Sequence, residues 1–326
     1  MLVSIAIPVY RNSNSLRELH SRIVSTVKSV PDTDYEIIFA NDGSDDGSLD
    51  VLLSLCDIDP NVTVIDLAKN FGQHAANNAA FQKASGDIVI NMSADLQDPP
   101  EMIASIIEKL QEGYDVALAT RKKVHETWFK KLTSGIHYKL IRLSLPSYPD
   151  KGFDFWGVNK KAFKAFMSFN DVVRRNQIDL LSIGYRVTEI PYEKAKRVHG
   201  KSQYTFLRRL DISLSQILAT AIWPLRTAAI FGFLFTLLGI VSAAFVIVRY
   251  FTLDTPQSGW TSILSILLVT SGVIMGMLAV IGEYIWRIYY ESKQRPLFFV
   301  DEVYGKFADK GPESADRQKI TAEQDD

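Results

Sequence analysis

The feature that most limits the fold of this 326-residue chain is a regular alternation of short β-branched runs with helical patterns between Leu2 and Tyr192. The runs have the length and composition of buried strands, and the segments between them have helical periodicity. Such alternation predicts an α/β fold with a mostly parallel sheet covered by helices on both faces. The expected strands are Leu2–Val9, Tyr35–Ala40, Val62–Leu67, Asp87–Met92 and Asp115–Thr120, and the expected helices are Ser15–Val30, Ser48–Cys56, Gln73–Ala84 and Pro100–Leu110.

Polar loops follow four of these strands. They are Pro8–Asn12 (PVYRN), Asn41–Ser44 (NDGS), Asn70–His74 (NFGQH) and Ser93–Pro100 (SADLQDPP). Ligands of parallel sheets bind at the carboxyl ends of the strands, so these loops are expected to carry the chemistry. The patterns G-x-G-x-x-G and G-x-x-x-x-G-K-[ST] do not occur in the sequence, which argues against a dinucleotide-dependent oxidoreductase and a P-loop ATPase.

Two long apolar runs lie in the carboxyl-terminal third of the chain. The first, within residues 224–251, is uncharged between Arg226 and Arg249, and the second, within residues 260–282, carries no charge. Each is close to the ~20 residues that span a bilayer, so two transmembrane helices are predicted. A buried helical hairpin in a soluble core is the alternative.

The charges around these runs predict their orientation. The connecting loop, Thr252–Gly259, contains Asp254 but no lysine or arginine, whereas basic residues flank the other ends of both runs. The positive-inside rule therefore places both termini in the cytoplasm. A single cysteine, Cys56, excludes an internal disulfide framework and suits a reducing compartment. The formal net charge of −1 gives no support for nucleic-acid binding.

Six motifs occur along the chain in the order PVY, NDGS, NFGQHAANNAAFQKASGD, SADLQDPP, RVHGKSQY and GEYIWRIYYESKQRP. In this order they resemble the polyprenyl-phosphate glycosyltransferases of glycosyltransferase family 2. The bactoprenol glucosyltransferases and the undecaprenyl-phosphate formamidoarabinose transferases look most similar, and dolichyl-phosphate mannose synthase looks related. The resemblance covers residues 1 to about 305.

This resemblance implies a GT-A-like α/β domain that binds a nucleotide sugar. It implies inverting transfer of one sugar to undecaprenyl phosphate at the cytoplasmic face of the bacterial inner membrane, for cell-envelope glycan modification. The expected order is a transferase domain (1–203), an interfacial amphipathic helix (204–223), two spans (224–251 and 260–282), a juxtamembrane segment (283–307) and a disordered tail (308–326). A flippase partner and a homo-oligomer are compatible with the family.

The resemblance also implies a divalent cation, Mg²⁺ or Mn²⁺, in the SADLQ loop. Asp95 and Gln97 match the metal-binding positions of the family, and oxygen atoms are the ligands that such cations prefer. Ser93 stands where the family has a further carboxylate, and we expect its hydroxyl to face the donor or a water molecule. For Asp95 the alternative is a helix N-cap.

Four residues match or suit the nucleotide-sugar site. Pro8, Tyr10 and Asp42 match family positions that line the nucleotide pocket, with a plain turn residue as the alternative for Asp42. Arg121 follows the fifth strand and could pair with the donor diphosphate, because a guanidinium matches phosphate geometry. A solvated surface arginine is the alternative.

The acceptor side involves two further segments. The family's acidic position near the acceptor phosphate matches either Asp150 or Asp154, and the pattern does not decide between them. In the loop RVHGKSQY, the matching residues Arg197, Lys201 and Ser202 are expected to bind the acceptor phosphate, and Arg197 is also a catalytic candidate. A solvated basic linker before the membrane is the alternative for this loop.

Four positions depart from the family pattern. Asn12, Asn41 and Gln203 stand where the family has glutamate, aspartate and lysine, and Ser93 stands where it has a further carboxylate. These departures leave open a non-catalytic membrane partner of a flippase or glycosyltransferase system. A processive polysaccharide synthase is the other enzymatic alternative, which the two spans and the lack of a Gln-x-x-Arg-Trp motif disfavour.

The orientation can be tested by cysteine labelling in intact cells. With Cys56 replaced, an introduced Ser258→Cys should react with a membrane-impermeant maleimide, because Thr252–Gly259 is expected outside the cell. A cysteine placed in the tail after residue 308 should react only after permeabilisation. The reverse pattern would contradict the predicted topology.

Overall fold

The computed structural model describes residues 1–122, 135, 138–139, 141–143, 145–150, 152–169, 175–193, parts of 227–252, 259–293 and 295–305. The predicted interfacial helix (204–223), most of the first span (224–251), the tail (308–326) and the acceptor-site residues Arg197, Lys201 and Ser202 lie outside these residues. Contacts between Cα atoms divide the chain into two units, Met1–Thr205 with Pro296–Asp326 and Phe206–Arg295.

An eight-stranded sheet forms the centre of the first unit. Its strands are β1 (Leu2–Val9), β2 (Asp34–Asn41), β3 (Val62–Leu67), β4 (Ile88–Asn91), β5 (Val116–Arg121), β6 (Phe155–Asn159), β7 (Val187–Tyr192) and β8 (Val300–Gly305). The strand order is β7-β5-β6-β4-β1-β2-β3-β8. The pairs β1–β2, β1–β4, β2–β3 and β5–β7 are parallel, whereas β6 and β8 pair antiparallel with their neighbours. The α/β fold with a mostly parallel sheet is therefore confirmed.

Six helices with defined bounds accompany the sheet in the described part of this unit. They are α1 (Leu16–Lys28), α2 (Ser48–Ile58), α3 (Gln73–Lys83), α4 (Met102–Gln111), α5 (Lys160–Met167) and α6 (Asn176–Ser182). All five strands and four helices predicted from the sequence are present, with ends that differ by at most two residues. Strands β6, β7 and β8 were not predicted, and β8 falls within the segment 283–307 that the sequence assigns to the juxtamembrane region.

The two faces of the sheet bury different side chains. Alternate β1 residues such as Ile5 and Ile7 pack in one aliphatic core with side chains of α1, α2 and α4. On the opposite face, aromatic rings of α3, β6 and α5 meet: the ring centre of Phe81 lies 5.4 Å from that of Trp156 and 5.7 Å from that of Phe166. Helices thus cover both faces, as a parallel sheet requires.

The second unit contains the long helix α7, Trp260–Ser292. Its part Val269–Ser292 has 24 residues and is long and apolar enough to cross a membrane, and no residue of its most apolar stretch is buried. Among the described residues this is the one helix that meets both criteria, and Ile230–Val241 forms a shorter apolar helix. The described residues thus contain one candidate span, and a second span stays a prediction.

Helix α4 packs so closely on β6 that a side chain larger than glycine at position 157 should destabilise the protein. A Cβ atom added at Gly157 would lie 2.3 Å from Cγ2 of Ile106, so Gly157→Ala should overpack the core and destabilise the protein by about 1–3 kcal/mol. Thermal unfolding of the detergent-solubilised protein measures this loss. In an Ile106→Ala background, where the clashing atom is absent, Gly157→Ala should be much less damaging, and equal losses in both backgrounds would contradict the packing explanation.

Candidate active site

Four polar loops meet at one edge of the sheet. They follow β1, β2, β3 and β4, and we name them loop 1 (residues 10–15), loop 2 (42–47), loop 3 (68–72) and loop 4 (93–100). Because β1 pairs in parallel with both β2 and β4, and β2 with β3, the carboxyl ends of all four strands lie on the same edge. The sequence prediction that these loops form one site is consistent with this topology.

Loops 1 and 2 are joined by the side chain of Arg11. Its Nε and Nη2 donate to the two carboxylate oxygens of Asp45 at 2.6 and 2.5 Å, and its backbone N–H donates to Ser44 Oγ at 3.1 Å. The guanidinium also lies 5.3 Å from the ring centre of Tyr10, whose backbone N–H donates to Asn12 Oδ1 at 3.1 Å. Arg11 and Asn12, the second of which departs from the family pattern, therefore both help to fix Tyr10.

Loop 2 holds loop 3 through Asp42. This carboxylate is buried, and its two oxygens accept hydrogen bonds from the backbone N–H groups of Phe71 at 2.7 Å and Gly72 at 2.9 Å. Burial raises the pKa of Asp42, and the two backbone donors offset only part of this rise. A Cβ atom at Gly43 would lie 2.7 Å from the backbone nitrogen of Asn70, so the two loops touch. Asp42 is thus more than a plain turn residue.

Asn41 has a specific partner on the neighbouring strand. Its Nδ2 donates to Asp66 Oδ1 at 2.7 Å, and the two residues are aligned in the β2–β3 register. Burial raises the pKa of Asp66, and the acidic neighbours Asp301 and Glu302 raise it further, while the hydrogen bond from Asn41 lowers it. An amide at position 41 can donate to this carboxylate, which an ionised aspartate cannot do. Asparagine in place of the family's aspartate at position 41 is therefore complemented by Asp66, which accepts the hydrogen bond from the amide.

Loop 4 presents Asp95 on a constrained backbone. Asp95 Oδ1 accepts a hydrogen bond from the backbone N–H of Gln97 at 3.2 Å and lies 3.0 Å from Ser93 Oγ. Between these residues, Leu96 has a φ of +56°, a left-handed conformation that is unfavourable for a leucine. The N-cap of α4 is Glu101, so the alternative role of Asp95 as a helix N-cap is excluded.

The donor atoms of loop 4 suit a hard divalent cation. Within the described part of the chain, no three His, Cys, Asp or Glu side chains converge into an all-protein metal cage. Mg²⁺ does not require such a cage, since it usually binds one or two carboxylates together with substrate phosphates and water. Asp95 and Gln97 offer oxygen ligands only, a donor set that also suits Mn²⁺. These residues therefore fit the implied cofactor.

A buried hydrogen-bond network, which the sequence did not predict, starts from loop 4. Asp98 is fully buried; its Oδ2 accepts from Ser93 Oγ at 2.8 Å, and its Oδ1 accepts from the hydroxyl of Tyr192 at the end of β7. Tyr192 is aligned with Arg121 in the β5–β7 register. The signals in the sequence are weak: an aspartate before two prolines, and a tyrosine that ends a short strand.

Arg121 and Asp154 form an ion pair at the same edge. The Nη2 atom of Arg121 lies 2.6 Å from Asp154 Oδ2. Burial alone would lower the pKa of Arg121, but Asp154, with smaller contributions from Tyr192 and Asp98, keeps it above its usual value. Arg121 is therefore not a solvated surface arginine.

The other oxygen of Asp154 is also held. Its Oδ1 accepts from Gln177 Nε2 at 2.9 Å, and its backbone carbonyl accepts from Asn91 Nδ2 at 2.8 Å. Asp150, by contrast, forms an exposed ion pair with Arg142. Asp154 immediately precedes β6, whose antiparallel pairing places it beside the carboxyl ends of β4 and β5. Of the two acidic candidates, Asp154 is the one tied to this edge by Asn91.

The sheet and its loops have a GT-A-like architecture. A mannosyltransferase from Pyrobaculum calidifontis, solved in complex with GDP-Man and Mn²⁺, has the same fold: the TM-score is 0.50 at 15% sequence identity, covering 89% of this chain and 87% of that chain. The family model described as "Glycosyl transferase family 2" matches residues 4–167. The chain belongs to glycosyltransferase family 2.

Curated relatives extend this similarity over nearly the whole chain. The uncharacterized glycosyltransferase YkcC of Bacillus subtilis is 35% identical over 308 residues, 93% of this chain and 94% of that protein. The undecaprenyl-phosphate 4-deoxy-4-formamido-L-arabinose transferase of Edwardsiella ictaluri is 33% identical over 308 residues, 92% of this chain and 94% of that protein. The similarity thus includes the apolar carboxyl-terminal region.

The pairing of Asn41 with Asp66 can be tested by exchange. Asn41→Asp should lower the free energy of unfolding by about 1–3 kcal/mol at pH 7.5, because it places two carboxylates side by side. Their repulsion raises a carboxyl pKa in the folded state, so this loss should shrink at pH 5.5, where one group can bind a proton. Thermal unfolding in detergent at both pH values measures the effect. The exchanged pair, Asn41→Asp with Asp66→Asn, should recover most of the stability, and a double variant as unstable as Asn41→Asp would contradict the pairing.

Proposed function

We propose that the protein transfers a single sugar from a nucleotide sugar to undecaprenyl phosphate, or to a similar polyprenyl phosphate, with inversion at the anomeric carbon. The observation that carries this proposal is the similarity over more than nine-tenths of the chain to transferases named for undecaprenyl phosphate. The product would be a lipid-linked sugar for cell-envelope glycan modification. A single displacement inverts the anomeric centre, which is the outcome that the family resemblance implies.

The nucleotide sugar would bind across loops 1 to 3. Tyr10, fixed by Arg11 and Asn12, offers an aromatic ring beside Pro8 for the base. Asp42 accepts backbone hydrogen bonds from loop 3, but each carboxylate oxygen has more than one lone pair and can accept a further one from the nucleotide. Ser93 in loop 4 supplies a hydroxyl on the donor side.

Asp95 and Gln97 would hold Mg²⁺ or Mn²⁺. When bound, the cation supplies charge neutralisation for the departing nucleoside diphosphate. Asp95 is held for this role by the Gln97 backbone N–H, and Ser93 Oγ lies 3.0 Å from the same carboxylate oxygen. Arg121 adds a half-buried positive charge at the same edge, and the donor diphosphate would share it with Asp154.

The acceptor phosphate would approach from the side of Asp154. A phosphate monoester has a second pKa of about 6 and is largely ionised at neutral pH, so positioning matters more than a strong general base. Asp154 is held by Arg121 and Gln177 and suits a role in orienting the acceptor, with Asp150 as the alternative. Arg197, Lys201 and Ser202 are the further proposed phosphate ligands, and Arg197 would act in the transfer step.

The acceptor lipid accounts for the apolar carboxyl-terminal region. A polyprenyl chain lies in the bilayer, so the transferase domain has to work at the membrane surface. We propose two spans, with the catalytic domain and both termini in the cytoplasm, from the lysine and arginine distribution. The non-catalytic alternative loses two of its four supporting departures, because Asn12 and Asn41 have local partners.

Metal dependence gives the sharpest test of the proposed chemistry. Asp95→Asn removes a charged ligand, so it should reduce transfer at least about a hundredfold in Mg²⁺ or Mn²⁺, as expected when a ligating group is lost. The measurement is sugar transfer to undecaprenyl phosphate by the purified protein, with a panel of nucleotide sugars and a titration of each cation. The sugar that is transferred would be identified in the same assay.

A matched control is Asp57→Asn, which changes an exposed aspartate on α2, away from the four loops. It should leave the rate and the metal titration as in the wild type. Wild-type protein that transfers no sugar to undecaprenyl phosphate from any donor of the panel would contradict the proposed function. Full activity of Asp95→Asn with unchanged metal dependence would contradict the metal role of loop 4.

A further inference from the structure

Asp98 is a fully buried carboxylate for which the proposed chemistry has no role. It lies three residues after Asp95 in loop 4, and hydroxyl groups approach both of its oxygens. Ser93 Oγ lies 2.8 Å from Oδ2, and the hydroxyl of Tyr192 donates to Oδ1. A buried ionised carboxylate needs such donors, because losing one leaves a desolvated negative charge poorly compensated.

The Ser93 hydroxyl stands between two carboxylates. Its Oγ is 2.8 Å from Asp98 Oδ2 and 3.0 Å from Asp95 Oδ1, but a serine hydroxyl has one hydrogen and can donate fully to only one of them. The shorter contact favours Asp98 as the acceptor. Ser93 Oγ and Asp95 Oδ1 then lie 3.0 Å apart with no Ser93 hydrogen between them, an arrangement of two electron-rich oxygens that attracts a cation.

Tyr192 fixes the position of Asp98. The tyrosine is buried at the end of β7, and its backbone carbonyl accepts from the Lys122 N–H at 2.7 Å. Burial and the nearby Asp98 raise the pKa of Tyr192, so its hydroxyl keeps its proton and acts as a donor. The hydroxyl holds Asp98 Oδ1, which leaves Oδ2 directed at Ser93.

We infer that Asp98 and Tyr192 are positioning residues for the metal ligand Asp95, acting through the hydroxyl of Ser93. Asp98 takes the hydrogen of Ser93, so Asp95 Oδ1 accepts the Gln97 backbone N–H but not the Ser93 hydroxyl, and it binds a divalent cation more strongly than it would with both donors. This inference rests on the proposed function, in which Asp95 binds the cation. It also gives Ser93 a role, since an aspartate at this position would have no hydrogen to direct between its neighbours at neutral pH.

The inference predicts that the effect of Asp98→Asn on Mn²⁺ affinity depends on whether Ser93 is present. A purely electrostatic or structural role of Asp98 would not give this dependence. Asp98→Asn presents an amide to Ser93, which can turn its hydrogen to Asp95, so Mn²⁺ affinity should fall about tenfold. In a Ser93→Ala background no hydroxyl remains to be redirected, so Asp98→Asn should change the affinity about twofold or less. A loss of charge alone would weaken binding equally in both backgrounds.

Mn²⁺ binding can be measured without the transfer reaction. The free Mn²⁺ signal in electron paramagnetic resonance is titrated with purified full-length protein and UDP, and with GDP in parallel. The set comprises the wild type, Asp98→Asn, Ser93→Ala and their double variant. Affinities that combine additively, or Asp98→Asn with wild-type affinity, would overturn the inference. No Mn²⁺ binding by the wild type with either nucleotide would overturn both the inference and the metal role in the proposed function.

Comparing two tyrosine-to-phenylalanine variants distinguishes a positioning role of Tyr192 from a contribution to stability alone. Tyr192→Phe keeps every charge but removes the group that holds Asp98, and Tyr35→Phe removes a similar hydroxyl that donates to buried Asp59 at 2.9 Å, near the opposite end of the sheet. Both should lower the melting temperature, but only Tyr192→Phe should weaken Mn²⁺ binding, by about threefold or more. Equal Mn²⁺ affinities of the two variants would show that Tyr192 is only structural and would overturn its positioning role.

Discussion

Parallel pairing of β1 with both β2 and β4 is the constraint on which the rest of the molecule depends. It brings the ends of strands that are distant in sequence to one edge, and each polar loop starts there. The loops then hold one another: Arg11 joins loops 1 and 2, Asp42 joins loops 2 and 3, and Ser15 Oγ donates to the Ala94 carbonyl of loop 4 at 2.7 Å. The site is therefore a framework of mutually supported loops, which favours preorganised binding.

Buried carboxylates do much of this structural work. Asp42 and Asp98 are each buried and accept hydrogen bonds from donors far away in the sequence: Asp42 from the Phe71 backbone N–H and Asp98 from the Tyr192 hydroxyl. Burying a charge is unfavourable unless donors compensate it, so such a residue specifies which segments must meet. The proposed transfer between anionic substrates would gain from this arrangement, because the negative charges are largely taken up internally and Arg121, paired with Asp154, adds a positive charge at the same edge.

The sequence predicted the sheet class, nine of the elements and the four loops, because these depend on local periodicity and on the rule that sites lie at carboxyl ends. It did not predict side-chain partnerships across strands. Asn41 is an example. The family pattern shows only that a carboxylate is missing at this position, whereas the structure shows that the Asn41 amide donates to Asp66 on the neighbouring strand. The Asp98–Tyr192 contact joins residues 94 positions apart and depends on the β5–β7 register, which no local pattern encodes. Strand β8 was missed because its alternation is short and largely exposed.

Strand β8 also has a consequence for the order of events during synthesis. Its partner β3 ends at Leu67, whereas β8 begins at Val300, so more than two hundred residues, including the apolar carboxyl-terminal region, are translated between them. At typical elongation rates of about 5–20 residues per second, the outer edge of β3 stays unpaired for roughly 10–50 s before β8 has been synthesised. During this interval the backbone groups of Val62–Leu67 are available to pair with other chains, a recognised aggregation hazard of open sheet edges. Both proposed spans are translated before β8, so completion of the sheet would have to wait for them, and delayed insertion of the proposed spans would prolong the exposure of that edge to chaperones and proteases.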